Sequence, residues 1–257
     1  MILESILKTT YKGFYTPASF NTPNGLLITI NNEDFECAKK FNLKNKGKVY
    51  YVPGVGMDLS QYNIPESVGV EKRQELNLSS DDIALISMGD LIKRKNYSVA
   101  IEAIAKCNNS KLHYYICGKG PEESALKNLA ISLGVENQIH FLGYRTDIKQ
   151  LLKASDIFFF TSKQEGLARS LMEAMASGLP CVASNIRGNV DLIVEGEGGF
   201  LKSVNDISGY AESIEYLANN PSVVNSMKEH NLKSIKNYEI KAIIKELENV
   251  YSLEFDN

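Results

Sequence analysis

Two carboxylates, Glu165 and Glu173, are the side chains whose type and spacing point most directly to chemistry. They lie eight residues apart, in the stretch FTSKQEGLARSLMEAMASGLPCVAS. An ionised carboxylate accepts hydrogen bonds from hydroxyl groups, so a residue of this kind can hold a sugar. Helices carry many surface glutamates, and the pair alone is a weak indication. Its meaning depends on the elements around it.

The elements around the two glutamates predict a strand followed by a helix. The apolar run Ile157–Phe160 is typical of a buried strand, Gly166 can close a tight turn, and Ala168–Ser177 has helical spacing of apolar residues. This strand would deliver Glu165 to the edge of a sheet, where the next helix begins. Unpaired N–H groups at that helix start can hold a diphosphate. Glu173 would lie two turns further along.

A basic cluster follows another predicted strand. Gly89 ends that strand, and the loop after it carries Lys93, Arg94 and Lys95. Fixed cations of this kind stabilise the negative charge that develops on an anionic leaving group. A solvated, basic helix start is the structural alternative.

From residue 83 onward, predicted strands and helices alternate. This alternation indicates an α/β fold with a doubly wound parallel sheet, whose ligands bind at the carboxyl ends of the strands. The candidate loops all follow strands. The predicted strands are 83–88, 112–117, 139–142, 156–160 and 180–183, and the predicted helices are Tyr97–Cys107, Glu122–Leu133, Asp147–Ala154 and Arg169–Ser177.

The two ends of the chain are organised differently. Residues 26–30 and 48–52 are predicted strands, with the short helix Asp34–Phe41 between them, so this end predicts one small βαβ unit. Such a unit cannot bury both of its faces alone. The segment 205–257 is predicted to be helical.

The segment EGLARSLMEAMASGLPCVAS resembles the donor-site signature of the retaining glycosyltransferases of family 4, which have the GT-B fold. The resemblance extends from about Leu26 to Leu201, with its motifs in the expected order. It implies that residues 58–236 are a Rossmann-like nucleotide-sugar domain, the C-terminal half of GT-B. Residues 1–57 would be the remnant of a truncated N-terminal acceptor domain with the interdomain connection, and residues 237–257 a C-terminal helix. The further motifs are VPGVGMD (52–58), MGDLIKRKN (88–96), YICGKGPEESALKNLA (115–130), HFLGYRTDIKQLLKASDIFFFTS (140–162) and SNIRGNVDLIVEGEGGFL (184–201).

The resemblance assigns roles to the glutamate segment. Glu165 would contact the donor sugar near the reacting carbon, as a catalytic residue, and Glu173 would bind the ribose hydroxyls. Arg169 stands where a small or apolar residue is more usual; it either adds charge near the diphosphate or points outward and is inert. The backbone that would hold the diphosphate belongs to Gly166, Leu167, Ala168, Arg169 and Ser170.

The family motif also has an arginine directly after the glycine of the basic loop and a lysine five residues later. Lys95 matches the lysine and is the second catalytic candidate, but Asp90 stands at the arginine position. Arg94 or Arg187 could supply the missing cation. Gly89 is included in the predicted donor site.

Two further loops carry weaker indications. Gly118 follows a strand and opens a helix, which tight strand–helix packing explains as well as ligand binding does. By resemblance, the backbone at Gly143 would receive the nucleotide base, with Tyr144 or Arg145 beside it. An ordinary turn between strand and helix is the alternative for those two side chains.

The resemblance implies retaining transfer of a hexosyl group from a nucleotide-sugar, with a UDP-sugar favoured, to a lipid-linked or polysaccharide acceptor. No metal or cofactor is expected. Two alternatives stay open. One is a donor-binding subunit or inactive fragment that needs a separate acceptor-domain polypeptide or self-associates. The other is a nucleotide-sugar epimerase, which the absence of histidine from the Glu165 loop disfavours.

The composition limits the partners and the location. The net charge of −3 argues against a nucleic-acid binder, and no apolar run approaches the length of a membrane span. We therefore expect a cytoplasmic protein. Lys39, Lys40, Lys44, Lys46 and Lys48 either approach the anionic inner face of a membrane or form a solvated surface.

Overall fold

The computed structural model describes residues 26–41, 43, 47–54 and 56–255. Within them, a two-stranded and a six-stranded parallel sheet form. The six-stranded sheet has the order β5-β4-β3-β6-β7-β8. The strands are β1 Leu27–Thr29, β2 Val49–Tyr51, β3 Ile83–Met88, β4 Leu112–Cys117, β5 Ile139–Gly143, β6 Ile157–Phe160, β7 Cys181–Ser184 and β8 Gly199–Lys202.

The strand order reverses between β3 and β6, which are neighbours at the centre of the large sheet. Connections from β3 run outward to β4 and β5, whereas those from β6 run the other way to β7 and β8. The loops after β3 and β6 therefore diverge and leave a crevice at the carboxyl edge, where sheets of this kind bind ligands. The predicted doubly wound α/β fold is confirmed.

Helices cover both faces of the large sheet. Side chains of β3 alternate between two cores: Leu85 packs on one face, and Ala84 and Ile86 on the other. In the described part of the chain, no helix combines the length and apolar character needed to cross a membrane. The helices are α1 Asn32–Ala38, α2 Glu66–Glu75, α3 Tyr97–Lys106, α4 Glu123–Ser132, α5 Ile148–Ala154, α6 Arg169–Ala176, α7 Asn189–Leu192, α8 Ile207–Asn219, α9 Pro221–Ser234 and α10 Ile240–Phe255, with 3₁₀ turns at Leu59–Tyr62, Lys93–Lys95 and Ile235–Tyr238.

Three elements were not predicted from the sequence, of which α7 is a single four-residue turn. Strand β8 begins at Gly199 and ends at Lys202, so it has only a short apolar stretch. Helix α2 is rich in charged residues, and only Gly69 is buried in it. Neither segment has the apolar periodicity on which the predictions depend, and tertiary contacts decide both.

The predicted βαβ unit at the front of the chain is present. Strands β1 and β2 pair in parallel, with α1 between them, and Val52 lies in a small core with Ile243 and Val250 of α10. The C-terminal helix thus covers apolar surface that this unit cannot bury alone. Lys48 pairs with Glu254 at 2.8 Å. The other lysines of the predicted surface include Lys39, which pairs with Glu36, and two that lie outside the described residues, Lys44 and Lys46.

Two partly buried histidines meet on the neighbouring strands β4 and β5. His113 Nδ1 and His140 Nε2 are 3.0 Å apart, and the ring of Tyr115 stacks on His140 at 4.7 Å. Burial, and then the nearby charge of His113, lowers the pKa of His140 to about 4.

This lowered pKa predicts a pH dependence of stability. Since the fold disfavours protonated His140, the contribution is complete above pH 6.5 and is lost as the pH falls from there toward 4. Between pH 7.5 and 5, the wild type should lose about 2 kcal/mol more unfolding free energy than His140→Gln, which cannot titrate in this range. Urea unfolding at the two pH values measures the difference. Equal losses in both proteins would contradict it.

Candidate functional site

The loops after β3 and β6 are joined at the crevice. Lys163 N–H donates to Arg94 O at 2.8 Å, and Thr161 Oγ1 donates to Asn96 O at 3.0 Å. The hydroxyl oxygen of buried Ser162 also lies 3.3 Å from Arg94 O. These bonds fix the 3₁₀ turn of the basic cluster against the segment that carries Glu165.

Glu165 lies at the centre of this crevice, against two cations. Its Oε1 accepts hydrogen bonds from Lys95 Nζ at 2.8 Å, Arg94 Nη1 at 3.0 Å and Ser162 Oγ at 2.6 Å. The side chains of Glu165 and Lys95 are only 11% and 13% exposed. Lys95 Nζ also lies 5.0 Å from the centre of the Phe160 ring. The structure therefore brings together the two predicted catalytic residues, with Arg94 beside them.

The start of α6 presents unpaired backbone groups. Among the described residues, none accepts a hydrogen bond from the N–H groups of Gly166, Leu167, Ala168, Arg169 or Ser170. The helix begins at Arg169, without a side-chain cap at Ala168. Because the N-terminus of a helix carries partial positive charge, these groups suit an anion. This is the arrangement that the sequence predicts for a diphosphate.

Glu173 lies about one turn after Arg169, the first residue of α6, and has Arg169 and Tyr62 as neighbours. Arg169 Nε donates to Glu173 Oε1 at 3.2 Å, although Arg169 is 68% exposed. Burial, and then the neighbouring Glu173, raises the pKa of Tyr62 well above its usual value, so its hydroxyl stays protonated. Arg169 thus contacts Glu173. Tyr62 was not predicted, because its 3₁₀ turn is remote in sequence.

The predicted glycines are packed backbone to backbone. A Cβ on Gly118 would lie 2.0 Å from Gly89 O, and Gly118 N–H donates to Gly143 O at 2.8 Å. Close packing of the loops after β3, β4 and β5 is therefore enough to explain why glycines stand at these positions. A ligand-binding role for these glycines stays a prediction.

Tyr144 and Arg145 take different positions. Tyr144 is 75% exposed. Arg145 is held by Asp147, with bonds of 2.7 and 2.5 Å, and by Glu75 at 3.3 Å. The hydrogen bond with Asp147 raises the pKa of Arg145, and the bond with Arg145 lowers that of Asp147. Contact with a nucleotide base stays a prediction for both residues.

The small βαβ unit reaches the same loop through α1. Arg187 bridges the two parts: its Nη1 lies 2.7 Å from Asp34 Oδ1, and its Nε donates to Glu165 O at 3.2 Å. Glu33 of α1, with Glu165 and Arg187, lines a cleft of about 370 Å³. The cleft lies between the βαβ unit and the large sheet.

Fully buried Asn31 makes the second connection. Its Oδ1 accepts from Asp34 N–H at 2.8 Å, and its Nδ2 donates to Asp34 Oδ2 at 2.7 Å and to Gly166 O at 3.3 Å. Asn31 was not predicted to belong to the site. The sequence Asn-Asn-Glu-Asp is a helix N-cap signature that places Asn31 at the start of α1, but it does not indicate the contact with Gly166.

The chain belongs to the family Glycosyl transferases group 1, whose model matches residues 70–234. The match contains the two central strands, the basic cluster and both glutamates. Family membership therefore rests on the segment that builds the crevice.

Two relatives illustrate the similarity. The chain is 28% identical over 233 residues to the putative glycosyltransferase EpsD of Bacillus subtilis, covering 90% of this chain and 61% of EpsD. It is 32% identical over 193 residues to the Escherichia coli UDP-Gal:alpha-D-GlcNAc-diphosphoundecaprenol alpha-1,3-galactosyltransferase, covering 73% of this chain and 50% of that protein. The chain thus spans about half to three fifths of the length of these relatives.

Solved structures confirm the GT-B relationship. HepE from Anabaena, in complex with UDP, superposes with a TM-score of 0.82 at 22% identity, over 89% of this chain and 64% of that one. A glycosyltransferase from Rickettsia africae superposes with a TM-score of 0.82 at 18% identity, over 91% and 64%. At these identities, the likeness establishes the fold.

The bridge through Asn31 gives a prediction. In Asn31→Ala, Gly166 O and Asp34 lose their buried donor and α1 loses its cap, so unfolding free energy should fall by about 1–2 kcal/mol. Amide exchange at Lys163, Leu171 and Met172, whose N–H groups are hydrogen-bonded on either side of this loop, should accelerate as well. Urea unfolding and hydrogen exchange measure the two effects, with exposed Asn137→Ala as the matched control. Destabilisation without faster exchange at Lys163, Leu171 and Met172 would show that Asn31 only caps α1.

Proposed function

We propose that the chain binds a nucleotide-sugar at the β3–β6 crevice and carries the donor half of a retaining glycosyl transfer. The observation that carries the proposal is the meeting of Lys95, Arg94 and Glu165 beside the unpaired N–H groups at the start of α6. Cations and helix N-termini both suit a diphosphate, and a carboxylate suits sugar hydroxyls.

The diphosphate, the ribose and the sugar of the donor each have a partner in this arrangement. The diphosphate lies between the start of α6 and the side chains of Lys95 and Arg94. The ribose binds Glu173, which can accept from both ribose hydroxyls. Arg169 pairs with the Glu173 carboxylate, and the protonated hydroxyl of Tyr62 is a neighbour of it. The sugar lies at Glu165, with its reacting carbon toward the cleft.

The cations assist the reaction by stabilising the leaving group. As the bond between sugar and diphosphate breaks, negative charge grows on the departing phosphate oxygen. Lys95 is nearly buried, so water screens its charge weakly and its effect on that oxygen is large.

UDP is the favoured nucleotide, and a lipid-linked or polysaccharide acceptor is the favoured partner. The HepE structure contains UDP, and the name of the Escherichia coli relative gives a UDP-Gal donor and a diphosphoundecaprenol-linked acceptor. Retention of configuration rests on the resemblance of the Glu165 segment to family 4. The epimerase alternative has no support in these relatives.

The domain boundaries are part of the same proposal. Residues 58–236 would be the donor domain, and the βαβ unit with the connection up to residue 57 would belong to the acceptor domain. The acceptor would enter the cleft between α1 and the Glu165 loop. A separate acceptor-domain polypeptide or a second copy would contribute on that side.

Calorimetric titration with UDP tests the donor site. Glu173→Ala and Lys95→Ala should each weaken UDP binding by roughly tenfold to a hundredfold, because each removes a charged partner of the ligand. Glu136→Ala and Lys111→Ala are the matched controls. Both are exposed at the opposite end of the strands, and their affinity should equal that of the wild type.

Absence of UDP binding by the wild-type chain at millimolar concentration would contradict the proposal. Equal weakening in the controls and the site variants would place the nucleotide elsewhere.

A further inference from the structure

One oxygen atom of Glu165 takes all the hydrogen bonds made at the centre of the crevice. Lys95, Arg94 and Ser162 each donate to Oε1, at 2.8, 3.0 and 2.6 Å. No described residue donates to the second oxygen, Oε2. The two cationic groups therefore surround a single, negatively charged oxygen atom.

A phosphate oxygen has the same requirements as this atom. It is small, carries negative charge and accepts charged hydrogen bonds of similar length from lysine and arginine. Because Lys95 is only 13% exposed, leaving it without an anion would be costly. The geometry therefore provides a position for one anionic oxygen, and in the free protein Glu165 fills it.

We propose that Glu165 is an internal occupant of the phosphate position. This inference rests on the proposed function of the same crevice. When the donor binds, a diphosphate oxygen replaces Oε1 between Lys95 and Arg94, and the carboxylate turns to the donor sugar. Donor binding thus makes Glu165 available for the sugar, and a bare diphosphate has to compete with it.

Arg94 is the second cation of the phosphate position. Asp90, at the position where the family motif has arginine, is exposed and makes no contact with Glu165 among the described residues. Arg94 contacts the same oxygen as Lys95, so it takes the place of the absent arginine. Arg187 contacts the backbone of Glu165 and the side chain of Asp34 instead.

Removing the charge of Glu165 should strengthen the binding of UDP. Glu165→Gln keeps the size of the side chain but no longer competes as an anion, so the UDP affinity should rise about threefold to tenfold. Uridine, which has no phosphate, should bind equally well to the variant and the wild type. A UDP-sugar should gain less than UDP, because the sugar loses its carboxylate partner.

Arg94→Ala should have the opposite effect. It should weaken UDP binding about tenfold, through the loss of one charged hydrogen bond, and leave uridine binding unchanged. Two matched controls each remove one charge away from the crevice. They are Lys245→Ala, at an exposed position of α10, and Glu136→Gln. Both should bind UDP and uridine as the wild type does.

Calorimetric titration with uridine, UDP and a UDP-sugar measures these affinities. Thermal unfolding shows whether each variant is folded. If Glu165→Gln does not fold, Ser162→Ala replaces it. That change removes one donor from Oε1 and leaves both cations, so UDP affinity should rise by a smaller factor. Wild-type binding of UDP with unchanged or weaker binding by the folded Glu165 and Ser162 variants would overturn this inference alone. No wild-type binding of UDP would overturn it together with the proposed function.

Discussion

The reversal of strand order between β3 and β6 is the constraint on which the site depends. Two parallel strands lie side by side at the centre of the sheet, but the chain leaves them in opposite directions. Their loops cannot cover the carboxyl edge between them, so a crevice stays open there. The loop after β3 carries the cations and the loop after β6 carries Glu165. Strand pairing alone therefore brings together residues that are seventy positions apart.

The charges in the crevice give the arrangement its rigidity. A nearly buried carboxylate is unfavourable unless it is paired and hydrogen-bonded, and Glu165 has two cations and a hydroxyl as partners. The backbone of the same loop is fixed from the other side, by Asn31 at Gly166 and by Arg187 at Glu165. Since Asn31 belongs to the small βαβ unit, the position of that unit and the geometry of the loop are linked.

The sequence predicts the central elements because their signals are local. The apolar runs of β3 and β6 and the helical spacing of α6 appear within short windows. Gly199–Lys202 and Glu66–Glu75 lack such periodicity, since β8 is a short edge strand and α2 is largely polar. Contacts across the fold decide these elements, and a local pattern cannot contain that information.

The site could be predicted in part, because some of its residues also lie in local sequence motifs. Lys95, Glu165 and Glu173 follow from motifs within single loops. Tyr62 and Asn31 do not, because each reaches the site from an element that is distant in the sequence. No local pattern distinguishes such a residue from an ordinary cap or core tyrosine.

Asp90 stands where the family motif has arginine, and this position shows what a motif cannot predict. The motif predicts the loss of one cation at this position. In the structure, Arg94 lies beside Lys95 and contacts the same oxygen of Glu165. A positive charge can therefore be placed beside Lys95 from a neighbouring position of the same loop.

A crystal structure of the chain with UDP tests the central claim most directly. The account predicts phosphate oxygens within hydrogen-bond distance of Lys95 and Arg94, the ribose hydroxyls on Glu173, and the diphosphate against the N–H groups of Gly166 to Ser170. UDP bound elsewhere would contradict the account, for example in the apolar cavity lined by Phe200 and Tyr216. So would a bound UDP whose phosphates leave Lys95 and Arg94 paired with Glu165.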